Sequence, residues 1–112
     1  MRLYLALLCC FVTGAAAAGD YAAQDKRLNQ VYQEYSKKLP PEHKQQLIKA
    51  QRAWIKFRDE HCSYMTIQYR DGGSFGPTAY NVCIDDVTAD RVKQLEYLNT
   101  CTEGDMTCPH WN

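Results

Sequence analysis

An all-α fold, small, disulfide-stapled and built from about three main helices and a glycine-rich loop, follows from three features of the 112-residue chain. Apolar residues return at helical spacing through LIKAQRAWIKFRDEHC, residues 47–62. Four cysteines, Cys62, Cys83, Cys101 and Cys108, follow a segment with the form of an export signal. Three glycines and a proline crowd residues 72–77, where no regular element is expected to continue.

The export signal runs from Met1-Arg2 through the apolar Leu3–Val12 to the small residues Thr13–Ala18. Ala16 and Ala18 satisfy the small-x-small rule for cleavage after Ala18, and Ala17 would serve almost as well. The apolar run is too short to span a bilayer comfortably, so no membrane anchor is expected after cleavage, and the product is periplasmic or secreted. Cys9 and Cys10 leave with the peptide, and Cys9 comes too early for a lipoprotein signal. Residues 19–112 then make one domain of 94 residues, too few for two. Without Arg2, the balance of 13 basic and 13 acidic residues becomes about −1, which argues against broad binding to a nucleic-acid backbone.

Gly19–Leu39 is predicted as the first helix, with Leu28, Val31, Tyr32, Tyr35 and Leu39 on its inner face. Asp25, Lys26, Gln33, Lys37 and Lys38 take the solvent side, and Asp20 suits the cap. Pro40 ends that helix, and Pro41 can open the next, where a missing amide costs no hydrogen bond. So short a connection predicts antiparallel neighbours. The second helix is expected over Pro41–Met65, with continuation toward Tyr69. Its inner stripe is Leu47, Ala50, Trp54, Arg58 and Cys62, widened by Ile48 and Ile55, with Lys49, Arg52, Lys56 and Glu60 outward. Tyr80–Ile84 fits a short helix or turn better than a strand. The third helix is expected over Asp85–Cys101, with Thr88 as N-cap, a Val87–Val92 staple and Asp90 in the first turn. Arg91, Val92, Leu95 and Leu98 supply its inner side. The tail 102–112 is polar apart from Met106 and Trp111.

Four cysteines in an exported chain imply two disulfides, with three possible pairings. Cys62–Cys83 is preferred because it encloses the glycine-rich segment, and would stabilise by roughly 3 kcal/mol through loop closure. Cys101–Cys108 follows by elimination. The spacing lacks a close Cys-x-x-Cys pair, and His61 and His110 restore no standard pattern, so no metal is expected. No cofactor is implied either: Gly72-Gly73-Ser74 has neither the lysine nor the strand of a phosphate loop.

Trp54, Arg58 and Arg91 are assigned to a polar network around the glycine loop. Arg58 is expected to fork to loop carbonyls or to Asp85 or Asp86, and to face away from its neighbour Asp59. Asp59, Glu60, Asp85 and Asp86 offer carboxylates for hydrolysis, but nothing supplies a cleft or a reason for raised pKa values. Ser63, Ser74, His43 and His61 form no triad by sequence. The chain is therefore expected not to be an enzyme. Tyr69, Phe75 and Tyr80, flanking flexible glycines, offer large contact area at low entropy cost, as protein-binding surfaces do.

Several spaced elements together resemble the LprI-type lysozyme-inhibitor family of exported bacterial proteins. They begin with Asp25-Lys26-Arg27-Leu28-Asn29 and Tyr32 and continue through Leu47, Gln51-Arg52, Trp54, Arg58-Asp59 and Cys62. Gly72-Gly73-Ser74, Pro77, Tyr80 and Cys83 follow, then Thr88, Arg91, Leu95, Leu98 and Cys101, so that residues 22–101 are covered. Members commonly carry cysteines ahead of the Asp-x-x-Leu-Asn segment; the mature chain has none, and Cys108 stands as a replacement partner for Cys101. The resemblance implies a helical, disulfide-containing domain that binds and inhibits a lysozyme-like peptidoglycan hydrolase. An envelope adaptor for another protein is the alternative, and a small hydrolase a more distant one. Candidate partner-binding residues are Asp59, Tyr69, Arg70, Gly72, Gly73, Ser74, Phe75 and Tyr80, with the loop entering the enzyme's cleft and Arg70 meeting a catalytic carboxylate.

Overall fold

The computed structural model describes residues 21–101 and 104–109. The export signal, its cleavage site, Asp20 as a cap and Trp111 lie outside the described residues. Among the described residues three α-helices follow one another: α1 (Tyr21–Ser36), α2 (Pro41–Met65) and α3 (Phe75–Asn99), with a 3-10 turn at Ile67–Tyr69. The fold is all-α, as the spacing of the apolar residues predicts.

The first helix stops at Ser36, short of the expected Leu39. Pro40 disfavours helical geometry for the residue before it, so the chain leaves α1 through tight turns, with Lys38 N–H donating to the Tyr35 carbonyl at 3.1 Å and Leu39 N–H to that of Ser36 at 3.2 Å. Pro40 then sits at the N-cap of α2 and Pro41 in its first turn; the Pro40 carbonyl accepts the Lys44 N–H at 2.9 Å. At the other end of α2, Thr66 closes the helix twice over. Both its N–H (3.2 Å) and its hydroxyl (2.7 Å) donate to the Cys62 carbonyl, one of the acceptors a helix end leaves unpaired.

The largest departure from expectation is the start of α3. It begins at Phe75, ten residues before the predicted Asp85, and absorbs Gly76, Pro77 and the Tyr80–Ile84 segment. Ser74 is the N-cap, which places Pro77 third in the helix, where its missing N–H forfeits no intrahelical bond. Thr88 is consequently not a cap: it lies mid-helix and buried, and the Val87–Val92 staple and first-turn role of Asp90 fall with it. The loop contracts to residues 70–74, with Gly73 at φ 68° supplying its left-handed turn.

Pairs Gln51–Arg91, Arg58–Thr88 and Cys62–Cys83 progress in opposite directions along α2 and α3, so these two helices form the antiparallel hairpin. The expectation that α1 and α2 are the paired neighbours is corrected: α1 packs chiefly on α3. The core lies at the end of the hairpin away from the loop. It joins Leu28, Val31 and Tyr35 of α1, Leu47 of α2, and Val92 and Leu95 of α3, flanked by Tyr32, Leu39, Trp54 and Leu98. Ala50, expected inside, is exposed, and Gln51 is buried in its place because its amide receives Arg91. Beyond α3, the Cys101–Cys108 bridge closes a small loop in which the Tyr97 hydroxyl meets Asp105 Oδ2 at 2.7 Å. Among the described residues, no helix is long and apolar enough to cross a membrane.

Candidate functional site

Above the core, Trp54 marks a joint. The Arg58 guanidinium lies 5.2 Å from its ring centroid and that of Arg91 5.8 Å, both within cation-π range. Arg91 Nε donates to Gln51 Oε1 at 3.0 Å and Nη1 to Gln94 Oε1 at 3.1 Å, while burial lowers the Arg91 pKa. Arg58 Nε donates to Asp59 Oδ1 at 3.0 Å and Nη1 reaches Thr88 Oγ1 at 3.5 Å. Three expectations are corrected here. The two arginines gather around the Trp54 indole rather than the glycine loop; Arg58 pairs with neither Asp85 nor Asp86; and sequence neighbours Arg58 and Asp59 do pair, because a long guanidinium can bend back along the helix surface.

Beyond the joint, the Cys62–Cys83 bond ties helix to helix, with Cα atoms 5.6 Å apart and Cys62 fully buried. From residue 63 to residue 82 no side chain is buried. What remains is a narrow tip of two helix ends joined by a braced turn. The Tyr69 carbonyl accepts the Gly72 N–H at 3.0 Å, and a Cβ on Gly76 would stand 2.7 Å from that same oxygen. Glycine at 76 therefore lets the start of α3 press onto the turn. The Tyr69 and Phe75 rings meet edge to face at 5.0 Å, locking the two sides.

A groove of about 400 Å³ opens at this tip, lined among others by Ser63, Thr66, Tyr69, Arg70, Gly73 and Tyr80. Of the residues singled out by sequence, Tyr69, Arg70, Gly73 and Tyr80 meet on its wall, and Gly72, Ser74 and Phe75 are their chain neighbours in the turn. Asp59 is apart, on α2 at the joint and held by Arg58. Among the described residues Arg70 makes no ion pair or side-chain hydrogen bond, which leaves its charge available at the tip.

The sequence reading named Phe75 but missed most of the apolar surface around it. Tyr64, Met65, Ile67, Phe75 and Val82 at the tip, and Phe57 at the level of the joint, are each at least half exposed. Five large apolar side chains facing water in one end of a small domain are the mark of a contact surface. The signal was present in Tyr64 and Ile67, which fall off the stripe that runs through Leu47, Trp54, Arg58 and Cys62; Met65 continues that stripe and gave no such sign.

A second groove, of about 430 Å³, runs between α1 and α2 and is lined by Asp25, Asn29, Tyr32, Gln51, Arg52 and Arg58, among others. These are residues that carry the family resemblance on the first two helices, brought face to face. Among the described residues, no group of three or more His, Cys, Asp or Glu is placed to hold a metal ion.

A family model described as Lysozyme inhibitor LprI matches residues 12–95. An uncharacterized protein of Rhizobium meliloti (strain 1021) is 31% identical over 98 residues, an alignment that covers 76% of this chain and 70% of that one. No solved structure matches the chain.

Proposed function

The chain belongs to the lysozyme inhibitor LprI family and is a binding protein rather than an enzyme; from that premise, we propose that it grips a lysozyme-type peptidoglycan hydrolase with the tip of the α2–α3 hairpin. The family is one of exported bacterial proteins. Within that, residues 1–18 are proposed as the removed signal and residues 19–112 as the working domain, in the periplasm or outside the cell.

The observation that carries the proposal is the exposed apolar surface at an end braced by a disulfide. A tip two helices wide is roughly 20 Å across, a shape suited to a long substrate cleft. Tyr69 and Phe75 give it a rigid aromatic edge, and glycine backbone at 72 and 73 allows close approach. Arg70 supplies the chemistry. Glycoside hydrolysis by paired carboxylates needs one of them kept protonated by a raised pKa. A guanidinium brought within a few ångströms favours the ionised form and withdraws the proton the leaving group requires, while the tip itself occupies the sugar subsites.

The test is a Gly73→Arg variant shown to remain oxidised and folded. Position 73 has open space for a side chain but φ +68°, so the variant costs about 1–2 kcal/mol and places a bulky group at the groove mouth. Inhibition of lysis at least tenfold weaker is expected; inhibition equal to wild type would sink the assignment of the tip.

A further inference from the structure

We propose that the tip selects muramidases of net positive charge, a claim that rests on the tip being the inhibitory face and adds the class of partner it accepts. Residues 57–86, the tip with the stretch of both helices that carries it, hold five carboxylates (Asp59, Glu60, Asp71, Asp85 and Asp86) against two arginines, Arg58 and Arg70. The remainder of the chain after residue 20, residues 21–56 and 87–112, is opposite in sign, with ten basic and seven acidic residues. A molecule whose formal charge nearly cancels thus carries its two signs on different parts of the fold.

The placement of the acids sharpens this. Asp59 and Glu60 on α2, and Asp85 and Asp86 on α3, lie two or three residues from Cys62 and Cys83, so the bridge holds both pairs at one level of the hairpin. Glu60 and Asp86 are exposed, and Asp85 Oδ1 is buried with no hydrogen-bond partner among the described residues. Arg58 is committed to Asp59 and Trp54. That pairing takes Asp59 out of the balance together with Arg58, so the outward pattern is Arg70 at the turn with the exposed Asp71 beside it in sequence, and a band of Glu60, Asp85 and Asp86 behind them. Its complement is an acidic cleft set in a basic surface: Arg70 meets the catalytic carboxylates and the band meets lysines and arginines on the rim. An acidic hydrolase would offer the cleft and repel the band. Charge of this kind steers encounter and rejects wrong partners more than it adds affinity.

The experiment measures association of the oxidised mature protein with a strongly basic lysozyme, and with the same enzyme after its lysines are succinylated. Wild type is compared with the Glu60→Gln/Asp86→Asn double variant, whose sites are exposed, so that folding and thermal stability should be unchanged. The expected result is association with the basic enzyme slowed about fivefold by the double substitution, and by a similar factor on raising salt from low to physiological. The succinylated enzyme should bind weakly and equally to both. Rates insensitive to salt and to the double substitution would overturn the charge claim. Loss of self-association in the variant, with lysozyme binding intact, would also overturn it, by assigning the acidic end to the basic body of a second copy. Failure of Gly73→Arg to weaken inhibition, by contrast, would remove the tip itself, so the two failures are distinct.

Discussion

At one end of the α2–α3 hairpin, Leu28, Val31, Tyr35, Leu47, Val92 and Leu95 bring three helices into a buried core; at the other, nothing between Cys62 and Cys83 is buried. The first end is stabilised by removing apolar surface from water. The second retains that surface in contact with water and is held by a covalent bond, a buttressed turn and the Tyr69–Phe75 ring contact, among others. The comparison teaches how a small exported domain keeps a binding face unsatisfied without melting: the contact surface is placed where burial does no work, and a crosslink replaces it.

The sharpest way to break that division is to remove core at the base. Leu95→Ala, at a fully buried position, should cost about 4 kcal/mol and lower the melting temperature of the whole domain, tip included. Replacing Cys62 and Cys83 together by serine should cost about 3 kcal/mol. Here the pattern matters more than the size. Hydrogen exchange should accelerate between residues 63 and 82 well before it does in α1, and inhibition should be lost while helical content persists. Uniform acceleration along the chain would show the two ends to be one cooperative unit.

Smaller substitutions refine the contrast. Gly76→Ala sets a methyl group against the Tyr69 carbonyl oxygen and should cost about 2 kcal/mol, felt in the tip alone. At the base, burial raises the Tyr35 phenol above its ordinary 10.0. The folded state favours the protonated ring, so this stabilisation is present below pH 10 and lost as pH rises through the raised value. Tyr35→Phe should cost up to about 1 kcal/mol at neutral pH and flatten the alkaline decline in melting temperature. Met106, almost wholly exposed in the Cys101–Cys108 loop, should change stability by less than about 0.5 kcal/mol when replaced by alanine.

Much of the base was legible in the chain because burial imposes periodicity: the α1 stripe and the Val92–Leu95–Leu98 side of α3 follow from spacing alone. The tip was harder for the same reason reversed. Phe75 and Val82 face water, so no inward stripe announced that α3 had begun, and Gly76 and Pro77 look like helix breakers unless their first-turn placement is known. Arg58 was placed on the correct side of α2 but given the wrong partners. Spacing gives the side from which a long side chain leaves, not how its last three atoms turn.

The indole at position 54 has a practical consequence. It is one of two tryptophans, and it lies against guanidinium groups contributed by both long helices. With Trp111 replaced by phenylalanine, its emission becomes a single optical gauge of the joint. Grip on an enzyme that pries the hairpin apart would shift the colour and brightness of that light, whereas a grip that leaves the rods parallel would not.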